Sequence, residues 1–302
     1  MKYDFNVDRN YDSVLIDTQA WVYPDERLIH QYSVTDKAKP TYINNVVAEY
    51  IKSEHFIKYK DVLKEGTTIL LSRVMSDISI DRQYRLEDKF YCSAPVTQVL
   101  GYFKDNKVSL DNLTLLYDKV LIERVNIQEN SYIKQADNDT LVGKVIKVGT
   151  NAFSKDWKPV PLTVKEGDIV LIRDNVATKI TLDNKEYYVV EEGHVVGIFK
   201  DTDFSIDNLN IINNYMIMDE YTKDLNVDDS IINTRLESYE DLDYSSFNND
   251  NIFIIENVDA KLTKLNKYDK VLVNRWYTHY MYFKTHRYYV ISGDEYIEAK
   301  IA

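Results

Sequence analysis

The chain has 302 residues, which is more than one core usually takes and indicates two or three domains. Its 37 Lys and Arg against 49 Asp and Glu give a formal net charge of −12, which disfavours a general role in coating nucleic acid. A single cysteine excludes an intrachain disulfide framework and any zinc or iron–sulfur site built from several cysteines.

The first residues of the chain and its hydropathy predict where in the cell the protein is located. The first residues, MKYDFNVDRNYDS, lack the basic-then-apolar pattern of a secretory signal. No uncharged apolar run approaches the roughly 20 residues that a membrane helix needs. We therefore expect a soluble protein made in a reducing compartment, cytoplasmic in a cell or part of a virion if the source is a virus.

The first third contains three segments with strand character: YDSVLID at 11–17, LKEGTTILL at 63–71 and LEDKFYCSAPVTQVLGYF at 86–103. Each is short, rich in β-branched or aromatic residues and bounded by turn formers, which predicts β-strands. Cys92 lies in the last segment, where we expect a buried apolar thiol.

The middle third repeats these segments in the same order, about 100 residues later. They are YDKVLIER at 117–124, VKEGDIVLI at 164–172 and LDNKEYYVVEEGHVVGIF at 182–199. Lys165–Asp168 is predicted to form a tight turn in which Gly167 can adopt a positive φ. Glu191–His194 is predicted to form a second turn, with the Glu191 and Glu192 carboxylates solvated, before a strand that ends at Phe199.

The last third repeats the pattern more weakly, with NYMIMDE at 214–220, LNKYDKVLV at 265–273 and RYYVISGDEYIEAKI at 287–301. Tyr268 stands where Gly167 would stand, and Glu298 is aligned with Gly197. The sequence therefore predicts an all-β chain of three collinear domains, at about 1–108, 109–204 and 205–302.

The middle copy resembles the GroES-type co-chaperonin, a small subunit whose ring closes a chaperonin cage. The resemblance is carried by LYDKVLIERV, GKVIKVGT, PLTVKEGDIVLI and NKEYYVVEEGHVVGIF in residues 115–200. It implies three tandem GroES-like, partly open β-barrels. It also implies barrels joined edge to edge through terminal strands, with a mobile loop after the first strand whose hydrophobic tripeptide docks on the chaperonin.

The corresponding loops are about Thr18–Asn45, Asn126–Leu141 and Tyr221–Asn251. The middle loop has neither the paired glycines nor the aliphatic tripeptide of the family. The nearest candidates for a chaperonin anchor are short pairs, and the alternative is that they are chance pairs of loop residues. These candidates are Leu28 and Ile29, Tyr132 and Ile133, and Ile231 and Ile232 after Ser230.

A second candidate partner-binding element is the acidic stretch LESYEDLDYSSFNNDN at 236–251. Its composition is typical of a solvated segment that orders on a partner. The anchors would be Tyr239, Leu242, Tyr244 and Phe247. The alternative is a loop that stays solvated.

The remaining patterns favour structural roles. RWYTHYMYFKTHRYYV at 275–290 interleaves basic and aromatic residues, as a surface that stacks single-stranded bases would. The favoured interpretation is a twisted hairpin whose aromatics pair across strands or form a subunit contact. Asp137–Asp139 lacks the glycine and distal glutamate of a calcium loop. No catalytic constellation, metal-ligand set or cofactor motif is visible.

Two functions remain in view. The first is a non-enzymatic structural protein that builds a homo-oligomeric ring or interaction platform with other structural proteins, such as a neck or tail ring of a bacteriophage virion. The alternative is a co-chaperonin that caps a chaperonin and assists folding. Chains of three barrels give rings of three, six or nine barrels rather than seven, which favours the first. No membrane partner is expected.

Overall fold

The computed structural model describes residues 12–17, 43–54, 56–72, 83–86, 89–125, 141–153, 158–173, 176–202, 204–220, 252–274, 277–283, 286–293 and 296–301. Within these residues the regular structure is β-strand apart from single 3-10 turns such as Ile57–Tyr59 and Glu192–His194. The predicted all-β class is confirmed.

The first sheet has seven strands. They are β1 (Ser13–Asp17), β2 (Ile43–Tyr50), β3 (Thr68–Leu71), β4 (Gln83–Leu86), β5 (Lys89–Pro95), β6 (Val99–Phe103) and β7 (Leu113–Leu115). Their order in the sheet is β4-β5-β1-β2-β3-β6-β7. Neighbouring strands are antiparallel.

The second sheet also has seven strands, and a two-stranded ribbon accompanies it. The sheet contains β8 (Lys119–Arg124), β9 (Leu141–Val148), β12 (Ile169–Ile172), β13 (Thr178–Leu182), β14 (Lys185–Glu191), β15 (Val195–Phe199) and β16 (Leu209–Ile211). Their order is β13-β14-β8-β9-β12-β15-β16. The ribbon pairs β10 (Ala152–Phe153) with β11 (Pro159–Val160).

The third sheet has six strands: β17 (Tyr215–Glu220), β18 (Ile252–Val258), β19 (Lys270–Val273), β20 (His279–Phe283), β21 (His286–Ser292) and β22 (Ile297–Ile301). Their order is β20-β21-β17-β18-β19-β22. The three sheets thus follow one strand order over their first six strands. A β-bulge falls at the same place in each, between Leu70 and Leu71, Leu171 and Ile172, and Leu272 and Val273.

The turn before the third strand is alike in the three sheets. Gly66, Gly167 and Tyr268 adopt positive φ values of 84°, 93° and 70°, so the turn predicted at Gly167 is confirmed. Glycine takes this conformation without a steric penalty, whereas a tyrosine does so at a cost. In each case the backbone N–H donates to a carbonyl of the second strand, on Val46, Val145 and Ile255 respectively.

The strand registers correct the alignment of Glu298 with Gly197. Leu171 lies opposite Gly197, and Leu272 lies opposite Ala299. The residue in the place of Gly197 is therefore Ala299, because strand pairing, rather than spacing along the chain, fixes equivalence in a sheet.

The chain divides into two compact units. The first contains residues 1–122, 146–163 and 177–192, and the second contains 123–145, 164–176 and 193–302. The first therefore joins the first sheet to β13, β14 and most of β8, and the second joins β12, β15 and β16 to the third sheet. Among the described residues, each unit buries apolar clusters of its own.

Candidate interaction surfaces

In the first unit, the first sheet and the strands that follow it share a core. Leu70, Leu100 and Phe103, from β3 and β6, are at most 4% exposed and pack in one cluster with apolar residues of later strands. These later residues are Leu113 and Leu115 of β7, Leu121 of β8, Ile180 and Leu182 of β13, and Tyr187 and Val189 of β14. The β13–β14 hairpin therefore covers the outer face of the first sheet.

In the second unit, the third sheet is joined to the preceding strands in the same way. Leu171, Val196 and Phe199, from β12 and β15, belong to one buried cluster with later residues. The later residues are Leu209 and Ile211 of β16, Tyr215 and Ile217 of β17, Met281 of β20 and Val290 of β21. The β20–β21 hairpin thus takes the role that β13–β14 takes in the first unit.

The short strands β7 and β16 approach the sixth strands of their sheets closely. A Cβ added at Gly101 would lie 2.6 Å from the Thr114 carbonyl oxygen, and one at Gly197 would lie 2.7 Å from Leu209 Cγ. Real Cβ atoms essentially never come so close. These two glycines therefore allow the next segment of chain to add a strand.

In the first unit, an aromatic group packs Phe56 and Tyr59 against Tyr117 and Phe153. The Tyr117 ring lies 4.4 Å from Tyr59 and 5.3 Å from Phe56, both edge-on, and 6.1 Å from Phe153. The Lys58 ammonium lies 4.8 Å above the Tyr59 ring and donates to Asn151 Oδ1 over 2.7 Å. The contacts combine packing with a cation–π interaction.

The Tyr117 hydroxyl is the least satisfied group of this cluster. It is buried without a hydrogen-bond partner among the described residues. Burial, followed by the charges of Tyr59 and Asp12, raises the pKa of the Tyr117 phenol far above its ordinary value. The hydroxyl is therefore neutral at every physiological pH, and the cluster acts as packing rather than as an acid–base site.

Polar contacts join the sheets in the second unit. The Tyr215 hydroxyl donates to the Gly193 carbonyl over 3.0 Å, and Asn213 Nδ2 donates to the Val195 carbonyl over 2.9 Å. Burial raises the pKa of Tyr215 although the Arg173 charge and hydrogen bond oppose the shift. Asn257 Nδ2 donates to two carbonyls just before β17, those of Ile206 and Leu209, over 2.7 Å each.

The prediction of solvated carboxylates at Glu191 and Glu192 is wrong for Glu192. Glu192 is 5% exposed, and its Oε1 accepts from the Thr163 backbone N–H. Glu191 Oε1 accepts from Lys119 Nζ over 2.9 Å, and Lys119 is itself 3% exposed. Glu192 can be buried because the Thr163 N–H provides a hydrogen bond to its carboxylate. Thr163 lies 29 positions earlier in the chain.

In the aromatic segment 275–290, the described residues of β20 and β21 pair antiparallel, as the predicted hairpin requires. Tyr280 pairs with Tyr289 and Met281 with Tyr288 across β20 and β21, so the structural interpretation is confirmed. Tyr277 and Tyr280 are about half exposed. Burial, followed by the Arg173 charge, lowers the pKa of His279, which keeps its imidazole neutral near pH 7.

The candidate partner-binding residues of the three loops lie outside the described residues. The same holds for the aromatic and leucine anchors of the acidic stretch 236–251 and for Asp137–Asp139. In the part of the chain that the structure describes, no group of three or more His, Cys, Asp or Glu is placed to hold a metal ion. That part also has no helix long and apolar enough to cross a membrane.

The resemblance implied joining through terminal strands, and β7 and β16 pair with β6 and β15, but the residues that fill the cores shared between sheets were not predicted. A signal was present, because a leucine recurs at the same strand position in TILL, IVLI and KVLV. A strand glycine also occurs two residues before a phenylalanine in both VLGYF and VVGIF.

These observations define an all-β protein. Its sheets have the same strand order over their first six strands, and the first two share buried cores with strands that follow them. The family of the chaperonin 10 kDa subunit matches residues 112–199, from just before β7 to the end of β15. The chain belongs to this GroES co-chaperonin family through its middle part.

Three curated relatives are each named co-chaperonin GroES. The protein of Desulfosudis oleivorans is 33% identical over 92 residues, which make up 28% of this chain and 95% of the relative. The protein of Pelagibacter ubique is 38% identical over 88 residues, 28% of this chain and 92% of the relative. That of Anaplasma phagocytophilum is 35% identical over 89 residues, 28% of this chain and 95% of the relative.

Proposed function

We propose that the chain is a non-enzymatic assembly protein in which three tandem GroES-like domains, at about 1–108, 109–204 and 205–302, form a ring-building or interaction platform. The observation that carries the proposal is the common strand order of the three sheets, because the family match covers β7 of the first sheet, most of the second sheet and none of the third. The common bulge position and the common turn before the third strand support it.

The shared cores favour an array of domains, each packed against the next, over a set of independent modules. Leu70 and Leu171 are both 0% exposed and each packs against strands that follow its own sheet. Covalent linkage raises the effective concentration of one domain for the next, and buried contacts then hold their geometry. Such an array suits a permanent assembly, in which each chain contributes three domains.

A co-chaperonin is the second candidate, and the names of the relatives favour it. In that case the anchors would be Tyr132 and Ile133 or Ile231 and Ile232, in the segments between the first and second strands of their sheets. The acidic stretch with Tyr239, Leu242, Tyr244 and Phe247 stays a proposed contact for another partner. A place in a virion stays a prediction from composition and architecture.

Co-sedimentation with a bacterial chaperonin in the presence of nucleotide separates the two functions. A platform protein stays in the supernatant, while its own oligomer appears on a sizing column without chaperonin. A co-chaperonin pellets with the chaperonin, and Ile231→Asp with Ile232→Asp, or Tyr132→Asp with Ile133→Asp, abolishes the pelleting. Val108→Asp, at an exposed residue, is the matched control. Pelleting that depends on either pair would overturn the platform proposal.

A further inference from the structure

Two connections of the first unit expose aliphatic side chains to solvent. Among the described residues, the exposed large aliphatic side chains are those of Ile57, Val108 and Val160, at 48%, 45% and 39%. Ile57 lies in the 3-10 turn between β2 and β3, and Val160 lies in β11, between β9 and β12. Two of the three thus belong to connections that join the second strand of a sheet to the third.

These two connections are packed against each other beneath the exposed side chains. The Phe56 and Phe153 rings meet edge-on with their centroids 6.3 Å apart. The Tyr59 hydroxyl and Thr150 Oγ1 share a hydrogen bond of 3.1 Å, and the Lys58 ammonium lies 6.0 Å from the Phe153 ring. Ile57 therefore stands beside the ribbon, between two residues that approach Phe153. A surface held in this way is preorganised, which lowers the entropy cost of binding a partner.

The ribbon adds a run of four exposed residues, Lys158-Pro159-Val160-Pro161. Strand addition to a sheet edge needs backbone N–H groups, and Pro159 and Pro161 have none. A partner therefore has to recognise the side chains of this run rather than pair with its backbone. Proline-rich segments are bound in this manner by surfaces lined with aromatic side chains.

The charge of the two connections is opposite to that of the whole chain. Exposed Lys158 directly precedes the two prolines, and Lys58 lies beside the ribbon. The described residues of 52–61 and 150–163 carry four lysines against one glutamate and one aspartate, whereas the chain has a net charge of −12. A local excess of positive charge attracts an acidic partner and repels a basic one.

We infer that these residues form a docking surface for an acidic segment of a partner protein that carries tyrosine or phenylalanine side chains. This surface, the ribbon patch, consists of Ile57, Lys158, Pro159, Val160 and Pro161. The aromatic rings of the partner pack on the prolines and on Val160, and its carboxylates pair with Lys158. The inference goes beyond the platform proposal, since it requires neither a ring nor the equivalence of the three domains.

A peptide with the sequence LESYEDLDYSSFNNDN has the required chemistry and serves as the probe. The labelled peptide is titrated with the full chain, and its binding is measured by fluorescence anisotropy. The chain's own copy of the stretch is prevented from competing by the substitutions Tyr239→Ser, Leu242→Ser, Tyr244→Ser and Phe247→Ser. We expect saturable binding that weakens as salt is added. Peptides with alanine for the aromatic residues, or with amides for the acidic residues, are expected to bind at least about tenfold more weakly.

Substitutions in the ribbon patch test where the peptide binds. Val160→Asp and Lys158→Glu are each expected to weaken binding by at least about tenfold, because each places a carboxylate against apolar or acidic groups of the peptide. Val108→Asp is the matched control, since Val108 is a similarly exposed valine outside the two connections. Circular dichroism of each variant checks that the sheets are retained.

Charge reversal on both sides gives a readout that a merely structural role of Lys158 would not move. A peptide with lysine in place of its acidic residues is expected to bind the Lys158→Glu chain more tightly than the chain with Lys158. Absence of saturable binding of the acidic peptide, or equal binding by the Val160→Asp chain, would overturn this inference and leave the platform proposal standing. Binding to phosphatidylserine vesicles in preference to the peptide would also overturn it, because the partner would then be a lipid surface.

Discussion

Gly167 adopts a positive φ of 93° in the turn before β12, and a Cβ there would meet nothing within 4 Å. Glycine is therefore favoured at this position by the backbone conformation alone, because a side chain would have room. Tyr268 meets the same demand with φ 70° in the third sheet, where the exposed side chain rests beside the Lys267 ammonium. The sequence was sufficient to predict this turn, because LKEGT, VKEGD and LNKYD each end directly before the third strand of their sheet.

Gly167→Ala is expected to lower the free energy of unfolding by about 1 kcal/mol, since a non-glycine residue pays that cost in the left-handed region. Gly193→Ala is the matched control, because Gly193 also has open space around its Cβ position and has no positive φ. Chemical denaturation measures both. An equal effect of the two substitutions would contradict the conformational explanation.

At the scale of elements, the strands themselves were predictable and their packing partners were not. Strand segments such as KVLIER and IVLI are short, β-branched and flanked by turn formers. The alternation of residue types along a strand does not show which later strand covers its buried face. Leu70 and Ile180, for example, pack in one cluster although they lie about 100 residues apart. Glu192 shows the same limit, since its burial depends on the distant Thr163 N–H.

Gly197→Ala is expected to cost about 2 kcal/mol, because the new Cβ would lie 2.7 Å from Leu209 Cγ and 2.9 Å from the Asn210 carbonyl oxygen. The strand β16 should be pushed from β15, and amide hydrogen exchange in 209–211 should rise. Gly193→Ala again serves as the control. Unchanged exchange in β16 would show that the close approach does not constrain this strand pair.

At the scale of the whole molecule, the shared cores make neighbouring sheets depend on each other. Leu70→Ala removes a fully buried side chain and is expected to cost about 2–5 kcal/mol. Because Leu70 packs with Ile180 and Tyr187, hydrogen exchange should rise in β13–β14 as well as in β3 and β6. A rise confined to the first sheet would contradict the shared core.

The three-domain division at about 1–108, 109–204 and 205–302 stays a prediction from the repeats, which the common strand order of the three sheets supports. The middle loop, which carries Tyr132 and Ile133, lacks the paired glycines and the aliphatic tripeptide of the family. Sequence alone therefore cannot assign a chaperonin anchor to Tyr132 and Ile133 or to Ile231 and Ile232. The partial exposure of Leu272, in the position where Leu70 and Leu171 are fully buried, became visible only through strand register and burial.

An experimental structure of the full chain by electron cryomicroscopy tests the central proposal most directly, namely that the chain consists of three GroES-like domains, each of which shares a core with the next. The result predicted is three sheets with one strand order, with β13–β14 packed on the first sheet and β20–β21 packed on β12 and β15. A last third with a different strand order, or three sheets free to move against one another, would contradict it.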